Sequence, residues 1–362
     1  MTQKTKVKLL YESKGFPIFQ NRMYDSSKEA IECPKGDIRL VENLETGLVY
    51  NDAFLPEMMI YDANYQNEQG VSALFQQHLS SMAKVIKQSM GEFNLVEVGC
   101  GKGFFLEMLL KQGVDVIGFD PTYEGSNPRI EKRYFESDSG IKANGIILRH
   151  VLEHVQDPVN FLMMLQKSNG GSGLVFIEVP CFDWICRQRA WFDIFYEHVN
   201  YFRMSDFYRI FDNIIESGSV FGDQYLYVVA DLASLKQPVI KPVINSGVNA
   251  VVNIEGRVSF PADFLSRLKD KTGKAIWGGA SKGVIFSFLK YRQGQPIEIV
   301  MDINPFKQNK YIAGTGLCVM SPEKGMSLLQ KGSTIYVMNS NYLAEIKKMS
   351  NYAYNYVSVD HV

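Results

Sequence analysis

The sequence predicts an α/β protein with a Rossmann-like sheet at its centre, a small β-rich module before it and a second Rossmann-like unit after it. Three observations carry this prediction. The stretch LVEVGCGKGFF, residues 95–105, reads as a buried strand running into a glycine turn and then a helix. From residue 94 to about residue 230, apolar strands alternate with helical patterns, as in a doubly wound parallel sheet. The strand–glycine–helix theme recurs in AIWGGASKGVIFSFLKY, and EIVMDINP then supplies a second strand ending in Asp302.

Bulk properties narrow the function. A chain of 362 residues is long enough for two or three domains. Its net charge of −1 gives no field suited to nucleic acid or an acidic membrane. No apolar run of about eighteen residues is present, and the opening MTQKTKVKLLYESKG lacks a signal-peptide core. The five cysteines (33, 100, 181, 186 and 318) are scattered and odd in number, which points to a reducing cytoplasm. The expected partner is a small molecule; the oligomeric state stays open.

Taken in order, residues 1–70 alternate short extended pieces (KVKLLYE, DIRLVEN, TGLVYN) with turn signals, and predict the β-rich module. VSALFQQHLSSMAKVIKQSMG places Val71, Leu74, Phe75, His78, Leu79, Met82, Val85 and Ile86 on one helical stripe, ended by Gly91. His78 is expected to pack at the core edge. The strands that follow are LVEVG, VDVIGFD, a weak IEKRYF, GIIL and GLVFIEVP, with SVFG and YLYVVADL closing as an antiparallel edge. LASLKQPVIKPVINS, with Pro238 and Pro242, reads as a linker between a domain of residues 71–245 and one of residues 246–362. The last domain is expected to open with a helical segment. At its glycine turn, Lys282 either meets a phosphate or is solvated.

The glycine turn of residues 97–103 has the pattern E-x-G-x-G-x-G through Glu97, Gly99, Gly101 and Gly103. Such glycines allow positive φ and let a ligand lie against the main chain. Asp120, about twenty residues on, is placed for ribose hydroxyls, so the pocket suits an adenosine-containing cofactor. The spacing is not that of a dinucleotide fingerprint. Glu97 is unfavourable beside a pyrophosphate and suited to a cationic amino group. S-adenosylmethionine carries that ammonium and no phosphate, and the stretch resembles motif I of class I methyltransferases.

Two later stretches hold three of the five histidines. LRHVLEHVQDP places His150, Glu153 and His154 just beyond the fourth strand, and FDIFYEHVNYF places Tyr196, Glu197, His198 and Tyr201 beyond the fifth. Strand ends on that side of an α/β sheet are where ligands bind. H-x-x-E-H also matches a zinc peptidase signature, which requires a helix presenting both histidines.

The series GCGKGFF, FDP, RHVLEHVQDP, EVP, FYEHVNYF, WGGASKG and MDINPFKQNKYIAGT resembles the sugar-nucleotide C-methyltransferase family over nearly all of residues 45–345. The resemblance implies carbon methylation of a nucleotide-linked deoxy-ketosugar through an enolate, with no metal in the chemistry. It further implies His198 as the base with Glu197 as its partner, and His154 on the enolate oxygen. Tyr196 stands where the family has the first histidine of H-E-H-x-x-Y-F. Tyr65 and His150 would contact the cofactor, and Tyr201 and Lys282 the substrate. The family's N-terminal module binds zinc through two C-x-x-C pairs. The matching positions here read as Phe16 and Phe19, then Asn43 and Thr46, so this module is expected to fold without zinc. The departures leave open another ketosugar, an oxygen or nitrogen acceptor, or, more remotely, a nucleotide-binding redox protein.

Overall fold

The computed structural model describes residues 6–60, 65, 72–136, 142–240 and 256–361. The chain begins with β1 (Val7–Pro17), β2 (Met23–Tyr24), α1 (Ser27–Ile31), β3 (Lys35–Asn43) and β4 (Val49–Asn51). The central part runs α2 (Ala73–Met90), β5 (Leu95–Val98), α3 (Phe104–Lys111), β6 (Val116–Phe119), β7 (Ile130–Glu131), β8 (Gly145–Arg149), α4 (Pro158–Ser168) and β9 (Leu174–Pro180). It continues through α5 (Phe182–Gln188), β10 (Asn200–Tyr201), α6 (Met204–Ile210), β11 (Ile214–Val220) and β12 (Tyr225–Asp231). The last part contains β13 (Ala275–Trp277), α7 (Lys282–Arg292), β14 (Ile299–Met301), β15 (Tyr311–Ile312), β16 (Val319–Met320), α8 (Pro322–Ser327), β17 (Thr334–Val337), α9 (Leu343–Met349) and β18 (Asn355–Ser358).

The central sheet has the order β11-β12-β9-β8-β5-β6-β7. Its strands are parallel except for β12, which pairs antiparallel with both β9 and β11. This is the class I methyltransferase arrangement expected from the sequence. β5 is buried along its whole length because it lies between β8 and β6 and is covered on both faces. α2 buries Phe75, Leu79, Met82 and Ile86 on one stripe, and Gly91 ends it at φ +83°; Val71 of the expected stripe lies outside the described residues. The C-terminal sheet, β16-β14-β13-β17-β18, is wholly parallel, as a second Rossmann-like unit should be.

The sheets do not respect the three sequence-defined parts. β10, which follows the His198 stretch, completes the N-terminal sheet by pairing with β4, and β2 pairs with β15 of the C-terminal part. Both expected domain borders, at 70/71 and 245/246, fall outside the described residues. Where the chain resumes, Val258 N–H donates to buried Glu42 (3.0 Å), and Arg257 donates to the Leu44 carbonyl (2.5 Å). The helical segment expected at the start of the C-terminal part is not found among its described residues; only a 3-10 turn, Ser266–Lys269, stands there. No helix among the described residues is long and apolar enough to cross a membrane.

The proposed match of the C-x-x-C positions needs correction. β1 and β3 are antiparallel, with Phe16 opposite Gly36 and Val7 opposite Asn43. Asn43 is thus seven residues along β3 from the partner of Phe16, about 23 Å at the usual rise per residue. Phe16, Phe19, Asn43 and Thr46 therefore never surround one point. Phe16 is fully buried and meets the Phe288 ring edge-on at 5.8 Å, joining the N-terminal module to α7. Asn43 accepts the Glu45 and Thr46 N–H groups at 2.8 and 3.0 Å, the turn role its residue type suggests.

Phe16→Ala should therefore destabilise the protein by about 3–5 kcal/mol, the range for truncating a buried phenylalanine, and urea unfolding measures it. A loss below about 1 kcal/mol would show that Phe16 does not anchor this junction.

Candidate active site

Gly99, Gly101 and Gly103 all have positive φ (+74°, +57° and +81°), so the turn after β5 needs glycine at each. The space a side chain would take at Gly101 is open, whereas at Gly99 it would strike Val151. Beside this turn, Glu97 is buried, and its Oε2 has no hydrogen-bond partner. Burial pushes its pKa up to about 7, an effect that Arg149 partly offsets and Asp120 reinforces. A buried carboxylate oxygen without a partner, beside an open backbone cradle, fits the ammonium and amino-acid chain of S-adenosylmethionine. Asp120 ends β6 as expected. Its carboxylate accepts Gly101 N–H (2.8 Å) and the N–H and hydroxyl of Thr122 (2.8 and 2.7 Å), so it closes the glycine turn.

One cavity of about 370 Å³ runs from this turn to the histidines. Glu97, Gly99, Gly101, Tyr65, His150, His154 and His198 line it together with Lys282, but Gly103 and Asp120 do not. His150, at φ +50°, turns back so that its Nδ1 meets Glu153 Oε1 at 3.2 Å. His154 Nδ1–H donates to the Glu197 carbonyl (2.8 Å), which leaves Nε2 as the free nitrogen of that ring. The His198 ring lies 4.9 Å from that of His154 and 4.8 Å from Phe195, and its nitrogens have no hydrogen bond among the described residues. Burial, then the His154 and His150 imidazoles, push its pKa well below the ordinary range. His198 is thus a neutral imidazole with an available lone pair.

Several expected roles change. Glu197 is not the partner of His198: its carboxylate accepts Gln20 N–H (3.1 Å) and the Tyr65 hydroxyl (2.6 Å). Tyr196 is fully buried away from the cavity, where its hydroxyl accepts Leu55 N–H at 2.9 Å, so it braces the N-terminal module and is not catalytic. Tyr201 spends its hydroxyl on Phe195, accepting the N–H (2.9 Å) and donating to the carbonyl (3.0 Å); it shapes the loop and does not face substrate. Lys282 is not solvated, since it pairs with Asp193 (3.0 Å), donates to Gln224 (2.9 Å) and lies over the Trp184 ring. The H-x-x-E-H residues form a 3-10 turn, Leu152–His154, and His150 and His154 serve different neighbours, against the peptidase arrangement.

Sequence reasoning missed the groups beneath the site. Glu178 on β9 is fully buried and binds His78 Nε2 (2.5 Å) and Arg149 Nε (2.7 Å). Burial alone would raise the Glu178 carboxyl, but Arg149, the His78 hydrogen bond and His150 outweigh it and set it well below the usual range. Arg149 lines the cavity and covers the Phe105 ring. Its only sequence signal was a charge at the end of the otherwise apolar GIILR strand. On the opposite wall, Asp302 accepts Gly279 N–H at 2.8 Å, as Asp120 accepts Gly101.

A family model described as a methyltransferase domain matches residues 59–214. No curated protein matches the chain significantly. Among solved structures, a SAM-dependent methyltransferase from Archaeoglobus fulgidus is 14% identical, covering 43% of this chain and 93% of its own, with a TM-score of 0.35. The plantazolicin methyltransferase BpumL is 14% identical (45% and 86% covered, TM-score 0.35), and a SAM-dependent methyltransferase from Aquifex aeolicus is 16% identical (42% and 89%, TM-score 0.32). Likenesses this low carry no weight of their own. The domain match, the sheet order and the Glu97 turn together define a class I methyltransferase domain. Residues 59–214 thus carry a methyltransferase domain, and Glu97 with the three-glycine turn would hold the amino-acid end of S-adenosylmethionine.

A proton and the cofactor ammonium compete for Glu97. Because the carboxyl titrates at about 7 without ligand, S-adenosylhomocysteine should bind more weakly as pH falls from 7 to 5, by up to about tenfold per unit. Calorimetry should show this dependence in the wild type. Glu97→Gln should bind weakly at every pH in that window; an unchanged pH dependence in this variant would remove Glu97 from the site.

Proposed function

We propose that the protein methylates a carbon next to a ketone on a nucleotide-linked sugar. The observation that carries this reading is the pair of imidazoles, 4.9 Å apart, at the far end of the cavity that begins at Glu97. Carbon methylation beside a carbonyl needs a proton acceptor and a group that stabilises the resulting oxyanion. His198, neutral and unbonded, accepts the proton from the carbon. His154, oriented through Nδ1 by the Glu197 carbonyl, is the group beside it that stabilises the enolate oxygen. Bound S-adenosylmethionine supplies an electrophilic methyl group. The chain's contribution to that transfer is positioning: Glu97 and the glycine turn fix one partner, and the histidines fix the other.

The remaining wall suits the rest of a large acceptor. Ser281, Asn304 and Lys307 of the C-terminal part line the same cavity, and Asn304 Nδ2 is buried without a partner. A polar donor left free in a cavity favours a ligand rich in oxygen acceptors, as a sugar nucleotide is. Tyr65, bonded to Glu197, closes the side formed by the N-terminal module.

Methyl-labelled S-adenosylmethionine with a panel of nucleotide ketosugars tests the reading, and NMR of the product locates the label. Label on an oxygen or nitrogen would replace carbon methylation with the other transfer reactions of this fold. His198→Asn should keep S-adenosylhomocysteine affinity and lose turnover by about two to four powers of ten. It should also abolish deuterium exchange at the acceptor carbon; exchange persisting at the wild-type rate would assign the base to another residue.

A further inference from the structure

We infer that Glu153, His154 and His198 form a binding site for one divalent transition-metal ion. One potential ligand atom from each residue lies within 4.8 Å of the other two. Two ligands at about 2.1 Å from a shared ion are separated by up to about 4.2 Å, so small side-chain rotations suffice to close the site. The family resemblance implies no metal in the chemistry, and the H-x-x-E-H zinc alternative would use His150 with His154. In the fold His198 takes the place of His150.

Four further observations support a ligand rather than a chance cluster. Glu153 is 1% exposed, and its Oε2 has no partner, which leaves a buried carboxylate oxygen without compensation at the cavity. The other polar atoms of two ligands are already oriented: His150 engages Glu153 Oε1, and the Glu197 carbonyl engages His154 Nδ1–H. Such partners around a metal fix the tautomer and orientation of its ligands. The third ligand, His198, has no hydrogen bond among the described residues, which leaves its ring nitrogens available to an ion. All three side chains line the cavity, so an ion has an entry path and open coordination positions. Nearby Glu178 offers no comparable site, because His78 and Arg149 already occupy its oxygens.

Two imidazoles and one carboxylate suit Zn²⁺, Co²⁺ or Ni²⁺ better than Mg²⁺ or Ca²⁺. A coordinated ion uses the His198 lone pair. Metal occupancy and proton abstraction by His198 therefore exclude each other, and the site is inhibitory towards the proposed reaction. Binding itself holds for any acceptor.

Titration of chelator-treated full-length protein with Co²⁺ tests the site without acceptor or methyl donor. The expected result is one equivalent per chain, with visible absorption that Zn²⁺ displaces. Glu153→Gln, His154→Asn and His198→Asn should each weaken binding by about tenfold or more, and His361→Asn should not. Zn²⁺ should raise the melting temperature of the wild type and not that of the three variants, whose metal-free melting curves report their folding. Failure to bind one equivalent, or wild-type affinity in the folded site variants, would overturn the proposal. Because no turnover is measured, that failure would leave the methyl-transfer reading standing, and absence of methyl transfer would leave the metal site standing.

Discussion

The site depends on one buried charge. Glu178 has no exposed surface, and a carboxylate there is tolerated only because Arg149 and His78 bind its two oxygens. That requirement joins α2 to the ends of β8 and β9. It also brings Arg149 to the cavity near Glu97 and places His150 against Glu153. Removing one partner from a buried ion pair of this kind typically costs about 3–5 kcal/mol, so the arrangement resists rearrangement. The glycine turn and the histidines are thus held relative to one another by a group that does not itself line the cavity.

The cavity is completed from outside the methyltransferase domain. Gln20 and Tyr65 bind Glu197, the residue beside His198. Asn21 in turn accepts the Ser281 hydroxyl at 2.7 Å, and Lys282 reaches Asp193. A continuous set of hydrogen bonds therefore links the C-terminal glycine turn, the N-terminal loop and the histidine end of the cavity. This gives the two appended parts a physical connection to the chemistry beyond covering the sheet.

Features written in local pattern were legible in the sequence. The E-x-G-x-G-x-G turn, the α2 stripe and the alternation of strands depend on neighbours within a few positions, and they stand where expected, except that the edge strand read at SVFG begins earlier, at Ile214, and ends at Val220. Features set by long-range pairing were not. Tyr196, Glu197 and Tyr201 lie in one short motif, yet the fold sends each to a different neighbour: the Leu55 backbone, the Gln20–Tyr65 pair and the Phe195 backbone. Likewise, only the antiparallel register of β1 and β3 reveals that Phe16 and Asn43 are far apart. Arg149 and Glu178 were invisible because a charge inside an apolar strand declares itself only once its partner is known.

The most direct measurement is a crystal structure with S-adenosylhomocysteine bound. The account predicts the ligand on the Glu97–glycine turn, with its ammonium within hydrogen-bond reach of Glu97 Oε2 and its sulfur facing the His154–His198 end of the cavity. Density for the ligand at the Gly278–Lys282 turn, or a sulfur directed away from both histidines, would contradict it.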